Sequence, residues 1–548
     1  MLNFSTSIEQ FTEQLSLEAL GLNLNKKTVA IVSAYNELSV SNSGLDKICV
    51  QVKKGILSKD FNAITFNLPN LCSDLTMGSE ANKYVLPLRD NIADSVEMLA
   101  SFQAIDGFVF VANDAATVAG MLIGCMRVNV PSLFIGGGTM KTALIGDKKM
   151  GFYSAYETRG LLKSGKINLT DLEKIQHDLI QGNGNASDNY PSNSSLVIAE
   201  AMGLALPRAS TLPADDKTRF ELAEKTGETI CTMIKNLMTP RSIASAESIK
   251  TAACVDIALG SSSTSVINLI AISHETGNDI DFSYFDELSK SVPRIVNIST
   301  RQQCFVEDFD SAGGVYAVIK QLVTCGKVDG IYKIFDGTLM RDNIDNMEFE
   351  QSDVIKNMSK QKKNSFTVMY GNIAEEGAIG FFNEVESFSG PARVFENEET
   401  ALDAISAKVV KPGDVVVIRN EGPVSGPGMR IVYLPLSMLV GLDLDKKVAV
   451  ITDGRIPDIS RGIAIGCVNK ETADKDGVLD VIKNGDIIEI NMTKRRVNVK
   501  LNARDIAVRK KYVEPNIPEV GAFLKKYSKT VSPSNQGCIT GVDKKQSE

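Results

Sequence analysis

The chain has 548 residues, of which 43% are hydrophobic and 23% charged, the balance of a soluble globular protein rather than a disordered one. A formal net charge of -8 argues against nonspecific nucleic-acid binding, and no apolar stretch is long enough to span a bilayer, so neither nucleic acid nor membrane is expected as a partner. The nine cysteines include no Cys-x-x-Cys pair and no signal-peptide pattern opens the chain, which reads as reduced thiols in a cytoplasmic protein, while the two histidines, His177 and His274, weaken any His-based catalytic or zinc site.

In chain order, Thr28 to Ala34 reads as a strand, and Leu45, Ile48, Cys49, Val52 and Ile56 mark one face of a helix. Asn62 to Asn67 is a second strand, running into a loop with Cys72, Ser73 and Asp74. Ile92, Val96, Leu99 and Phe102 recur with a helical period, and Gly107 to Ala112 is a short Phe/Val-rich run of the kind that forms a buried parallel strand. A helix carrying Val118, Leu122, Cys125 and Met126 follows, then a strand over Ser132 to Ile135 closed by three glycines. Strands alternating with helices predict an α/β domain with a doubly wound parallel sheet. In such a sheet the chemistry belongs at the carboxyl ends of the strands, here at Asn113 to Ala116.

Further on, Gly182 to Ser195 is polar and rich in turn formers, a loop before a helix starting at Leu196. Ile243 to Leu259 is helical in period, and Gly260 to Thr264 precedes another helical stretch from Val266; small residues there serve as an N-cap or offer N–H groups to an anion. A break at Gly313-Gly314 precedes a helix with Val318, Leu322 and Val323. From about Met340 to Lys363 the chain is polar and reads as the connection between an N-terminal domain, 1–362, and a C-terminal one, 363–548. Beyond it, short Val/Ile-rich runs at Phe366 to Tyr370, Arg393 to Phe395, Val415 to Arg419, Val448 to Thr452, Ile487 to Asn491 and Arg496 to Leu501 predict a compact β-barrel-like domain.

Several stretches carry a family resemblance: RDNIADSVEM (Arg89 to Met98), VANDAATVAGMLIGCMRVNVPSLFIGGGTM (Val111 to Met140), AEAMGLALP (Ala199 to Pro207), PRSIASAESIKTAACVDIALGSSSTSVINLIA (Pro240 to Ala271), KPGDVVVIRNEGPVSGPGM (Lys411 to Met429) and KVAVITDGRIPDISRGIAIG (Lys447 to Gly466). In this order they resemble the dihydroxy-acid and sugar-acid dehydratases, which include phosphogluconate dehydratase. The resemblance implies an active site between the two domains and a homodimer. It also implies an iron–sulfur cluster on three cysteines, a magnesium ion bound by two aspartates, a glutamate and a carbamylated lysine, and a serine base. The cluster iron would act as Lewis acid on the leaving hydroxyl, and the serine would take the proton from the neighbouring carbon.

Aligned to that pattern, the chain departs at most of these positions. The three cluster positions fall on Gly44, Asp114 and Ala186, and none is a thiol. The metal-binding aspartates fall on Ser73 and Ala115, the lysine on Ala116 and the glutamate on Ile431. The base falls on Pro457, and a later histidine on Cys467. Asp74 and Asp114 each lie one residue from a replaced ligand and could form a shifted metal site. The favoured reading of Asp114 is a helix cap. Cys72, Cys125 and Cys467 could form a relocated cluster site, against their reading as small buried residues. The remnant pocket is expected to draw on Asp74, Arg89, Asn113, Asp114, Ser262, Ser263, Asp453, Arg455, Asp458 and Cys467. Within it Arg89 meets an acidic substrate group or forms a helix-end ion pair, and Asp453 and Arg455 fix their loop or touch a ligand.

The resulting expectation is a family member without iron–sulfur dehydratase activity and without the cluster or magnesium, serving a structural or regulatory role as a homodimer or beside an active paralogue. The alternative is a hydro-lyase that dehydrates a hydroxy acid or sugar acid at a rebuilt site. A third reading is a metabolite sensor that uses the cleft between the domains.

Overall fold

The structure is a computed structural model that describes residues 8–541 apart from 103, 189, 297, 299–302, 350–351, 362–365, 383–384, 458–461 and 511–518. Four parallel strands, β1 (Thr28–Ser33), β2 (Asn62–Asn67), β3 (Gly107–Val111) and β4 (Ser132–Ile135), form the N-terminal sheet in the order β2-β1-β3-β4. β1, β3 and β4 are buried along their whole length, which is why they read as unbroken apolar runs rather than alternating ones. The helices Leu45–Ser58 and Thr218–Lys235 lie against this sheet and against each other. Their crossing depends on glycine: a Cβ on Gly55 would stand 1.9 Å from Glu224 O, and one on Gly227 2.1 Å from Val52 O. Val85–Ala100 packs along Ala115–Val128, and Tyr190–Ala201, Ala246–Leu259 and Ser263–His274 complete the buried helical layer. A small hairpin, β5 (Ala143–Ile145) and β6 (Lys148–Met150), precedes the helix Ser154–Lys163.

Two helix readings differ from the structure. The segment predicted as loop through Ser195 becomes helix from Tyr190, because Tyr190 to Ser195, although mostly polar, are buried against neighbouring helices. The run from Ile243 to Leu259 is two helices: the backbone leaves the helical region at Ala244, and Ser245 caps the second helix by accepting Ser248 N–H.

The second sheet has eight strands: β7 (Phe366–Met369), β8 (Ala378–Phe382), β9 (Ser387–Phe395), β10 (Val415–Ile418), β11 (Ala449–Thr452), β12 (Ile463–Gly466), β13 (Ile487–Asn491) and β14 (Arg496–Val499), in the order β14-β13-β9-β10-β11-β12-β8-β7. Tyr370, just after β7, bridges Arg496 on β14, with Val497 N–H donating to Tyr370 O at 2.8 Å, so the sheet nearly closes into a barrel. The strands β10 and β11 serve two cores at once. Val415, Val417 and Ile451 point into the barrel, while Val416, Ile418 and Val450 join the core continuous with the N-terminal helices. β8 and β12 were not among the predicted strands; each is short and carries a glycine, Gly380 and Gly466.

The polar stretch after Met340 is strapped to the N-terminal elements. Met340 and Ile344 are buried in the helix Met340–Asp345, Ile355 pairs with Val296, and Met358 is buried. No helix among the described residues is long and apolar enough to cross a membrane.

Candidate active site

The loops at the carboxyl ends of β1 to β4 meet the loops of the barrel, and buried carboxylates gather there. Asp114 ends the β3 loop with φ +71° and caps Ala115–Val128. Its Oδ1 accepts Ala116 N–H at 3.1 Å and Thr117 N–H at 3.4 Å, and its Oδ2 accepts Ser73 N–H at 2.9 Å. Both oxygens are therefore committed to backbone, which is the cap reading. Burial raises its pKa, and those N–H groups oppose the rise.

Asp74 is different. Its Oδ1 accepts the Tyr153 hydroxyl and the Ser192 hydroxyl, the latter at 2.9 Å, while its main-chain oxygen accepts Tyr156 Oη at 3.0 Å. Burial pushes its carboxyl up to about 6, the Tyr153 bond pulls it down, and nearby Asp114 adds to the rise. The Tyr153 hydroxyl is itself held well above its ordinary range, first by burial and then by Asp74. Asp188 sits behind them at the start of Ser154–Lys163, accepting Tyr153 N–H and Ser154 N–H at 3.2 Å each, and is pushed up to about 6 by burial. Asp188, Tyr153 and Ser192 escaped the sequence reading. Ser192 and Asp188 lie in a segment read as loop, and no periodicity or motif singles out Tyr153.

The other predicted residues have mostly structural partners. Asn113 ties two loops, donating from Nδ2 to Ser41 O and accepting Gly137 N–H at 2.8 Å. Arg89 is fully paired, to Asp90 Oδ1 at 2.8 Å, Asn268 Oδ1 at 3.3 Å and Cys538 O at 2.8 Å. Ser262 caps Ser263–His274. Ser263 Oγ fastens that helix to the barrel loop, donating to Ile456 O at 2.5 Å and accepting Ile456 N–H at 2.6 Å. Asp453 fixes its loop by accepting Glu421 N–H at 2.9 Å and Thr472 N–H at 3.1 Å. Asp458 lies outside the described residues. Cys72 and Cys467 are fully or nearly fully buried, and burial pushes each thiol up to about 12, far from the thiolate form.

Gly44 precedes Leu45–Ser58, with Asn183 packed where a Cβ would point. Ala186 and Ile431 join a small apolar cluster with Met77, Tyr153 and Tyr433. Among the described residues no three His, Cys, Asp or Glu side chains are arranged to hold a metal ion. At the aligned ligand positions Gly44 and Ala186 carry no donor atom and Asp114 is held by backbone N–H groups, so no step below runs through a cluster or a metal ion.

The barrel side carries a second buried acid pair. Glu471 accepts Ser425 N–H at 2.7 Å, and burial, with Asp453 close by, pushes it up to about 8. Ser425 has one hydroxyl proton, yet its Oγ lies 2.6 Å from Glu471 Oε2 and 2.8 Å from Asp453 Oδ2. A protonated Glu471 resolves this: it donates to Ser425 Oγ, and Ser425 donates to Asp453. With a folded value above its ordinary 4.5, Glu471 contributes stability that is fully present below pH ~4.5 and lost as pH rises through about 8. The variant Glu471→Gln is expected to remove this fall, so urea midpoints between pH 5 and 9 should decline less steeply than in the unmodified protein. An unchanged slope would refute the assignment.

Comparison with known proteins decides the family. Residues 26–343 match the family model "Dihydroxy-acid/6-phosphogluconate dehydratase N-terminal", and residues 353–538 match its C-terminal counterpart. The chain belongs to this dehydratase family. Relatives include a dihydroxy-acid dehydratase of Halothermothrix orenii, 35% identical over 95% of this chain and 96% of its own length. Those of Caldanaerobacter subterraneus subsp. tengcongensis and Pyrococcus abyssi are 34% and 33% identical, each over 97% of this chain and 97% and 98% of their own lengths.

These relatives correct the expectation of a member without dehydratase activity. That expectation weighed a handful of aligned positions, whereas the likeness runs through both domains and nearly the whole length. The expectation that the cluster and magnesium are absent is overturned with it. The chain belongs with the dehydratases for which the resemblance implies both groups, and nine cysteines remain in it.

Proposed function

We propose that the chain is a hydro-lyase that removes water from a small 2,3-dihydroxy carboxylic acid to give a 2-keto acid. The observation that carries this reading is its full-length likeness to proteins named dihydroxy-acid dehydratase. The side chains around Asp74 suit it. A carboxyl group near pH 6 is close enough to neutrality to take a proton and to return it. In the proposed step Asp74 takes the hydrogen of the carbon next to the carboxylate. That electron pair forms the carbon–carbon double bond, and the hydroxyl of the next carbon leaves as water, taking the proton from the Asp74 carboxyl, which returns to the carboxylate. The enol then tautomerises to the keto acid. Tyr153 and Ser192 hold Asp74 in place through Oδ1, leaving Oδ2 for the proton. We place the enzyme in the cytoplasm, where its free cysteines stay reduced.

The test is direct. Protein expressed with iron, sulfide and magnesium supplied and purified without oxygen is incubated with a 2,3-dihydroxy acid, and the keto acid is measured as its hydrazone. Keto acid formed in proportion to enzyme is expected; none above the protein-free control would overturn the reading.

A further inference from the structure

Among the described residues four arginines are fully buried: Arg89, Arg219, Arg430 and Arg455. Three have their charge or their donors answered. Arg89 pairs with Asp90, Arg430 with Glu421 and Glu399, and Arg219 is ringed by backbone oxygens, among them Gly136 O at 2.6 Å and Pro213 O at 3.2 Å. Arg455 is the exception. Its Nε donates to Met429 O at 2.7 Å and its Nη1 to Thr264 Oγ1 at 3.2 Å, but its Nη2 has no partner and no carboxylate pairs with it among the described residues. Burial alone drags its pKa down to about 10. Asp114 is near enough to be felt, yet both of its oxygens are already held by backbone N–H groups.

A buried guanidinium with an idle nitrogen is costly unless an anion completes it. The surroundings favour an anion. Arg455 stands at the first turn of the twelve-residue helix Ser263–His274, whose N-terminus carries partial positive charge. It also lies in the seam where that helix meets the barrel loop, fastened beside it by Ser263 and Ile456. We propose that Arg455 binds the carboxylate of the substrate, with Nη2 as the donor and the Ser263–His274 helix end as the supporting dipole. This rests on the hydro-lyase reading for the identity of the substrate, and places its carboxylate at the seam between the Ser263–His274 helix and the barrel loop.

The experiment is calorimetric titration of the full chain with a 2,3-dihydroxy acid, its primary amide and inorganic phosphate, run beside turnover assays. For the unmodified protein the acid is expected to bind roughly 10- to 100-fold more tightly than the amide, the range of one charge-assisted hydrogen bond. In Arg455→Gln that preference should vanish, with KM raised by a similar factor and kcat changed far less. In Arg455→Lys, which keeps the charge but not the fork, part of the preference should return. Equal binding of acid and amide by the unmodified protein overturns the proposal even if no variant folds. So does a preference that survives in Arg455→Gln, or phosphate bound in place of the acid. Arg455-dependent binding without turnover would leave this proposal standing and defeat the hydro-lyase reading; turnover with an indifferent Arg455→Gln would do the reverse.

Discussion

Asp74→Asn is expected to lower kcat by roughly 10²- to 10⁴-fold, the usual contribution of a positioned proton acceptor, while the protein stays folded. The substitution is close to isosteric. An asparagine Oδ1 can still accept the Tyr153 and Ser192 hydroxyls, and only the basic oxygen is lost. Stability separates this from a structural defect. Burial lifts the folded carboxyl to about 6 from an ordinary 3.8, so the ionised aspartate weakens the fold as pH rises through that window. The neutral asparagine carries no such penalty, and its unfolding midpoint at pH 7.5 should be no lower than that of the unmodified protein. Keto-acid formation and thermal unfolding on the same preparation read both. Full activity in Asp74→Asn would remove Asp74 from the chemistry.

The pH profile carries the same assignment. A base works in its deprotonated form, so kcat should fall as pH drops through about 6. The Tyr153 hydroxyl lowers the Asp74 pKa, so Tyr153→Phe should move this acidic limb to higher pH as well as slow turnover. A limb that stays in place would mean another group sets it.

How much of this could be read from the chain depends on what each residue does. The β2 and β4 strands were legible to their end residues, because apolar and β-branched runs bounded by turn formers leave little choice of register. β8 and β12 were not, since a strand of four or five residues with a glycine has too little pattern to separate from loop. The cap at Asp114 was legible, because an aspartate between a strand and a helical period has a local role. The partnership of Asp74 with Tyr153 and Ser192 spans 79 and 118 residues of chain, and nothing local announces it. Aligned positions misled for a related reason: they tell which residues stand where ligands are expected, not which acids the fold brings together instead.

Gly428→Ala is expected to destabilise the protein by about 3 kcal/mol or more, or to prevent folding. Gly428 has φ +106°, where a side chain is strained, and a Cβ there would stand 1.8 Å from Lys83 O. Both partners are backbone, so no rotamer change relieves the overlap. The place matters as much as the clash. Lys83 lies in the 3-10 turn Glu80–Tyr84, a few residues after the short helix Ser73–Thr76 that carries Asp74, and Gly428 is followed by Met429 and Arg430, so this contact sets the barrel against the N-terminal site. The next ties follow from it: Asn82 Oδ1 accepts Ile431 N–H at 2.8 Å, and Arg430 Nη1 lies 3.8 Å from Glu80 Oε1. Pushing the backbones apart by even 1 Å would stretch these bonds and move Arg455, which hangs from Met429 O, away from the seam. The comparison variant is Gly146→Ala, at φ +62° with nothing within 4 Å of the added carbon, which should cost only about 1 kcal/mol of left-handed strain. Urea unfolding of the two variants isolates the overlap as their difference. Equal, small losses would mean that the two domains slide over one another easily, and the site could not then depend on a fixed distance between them.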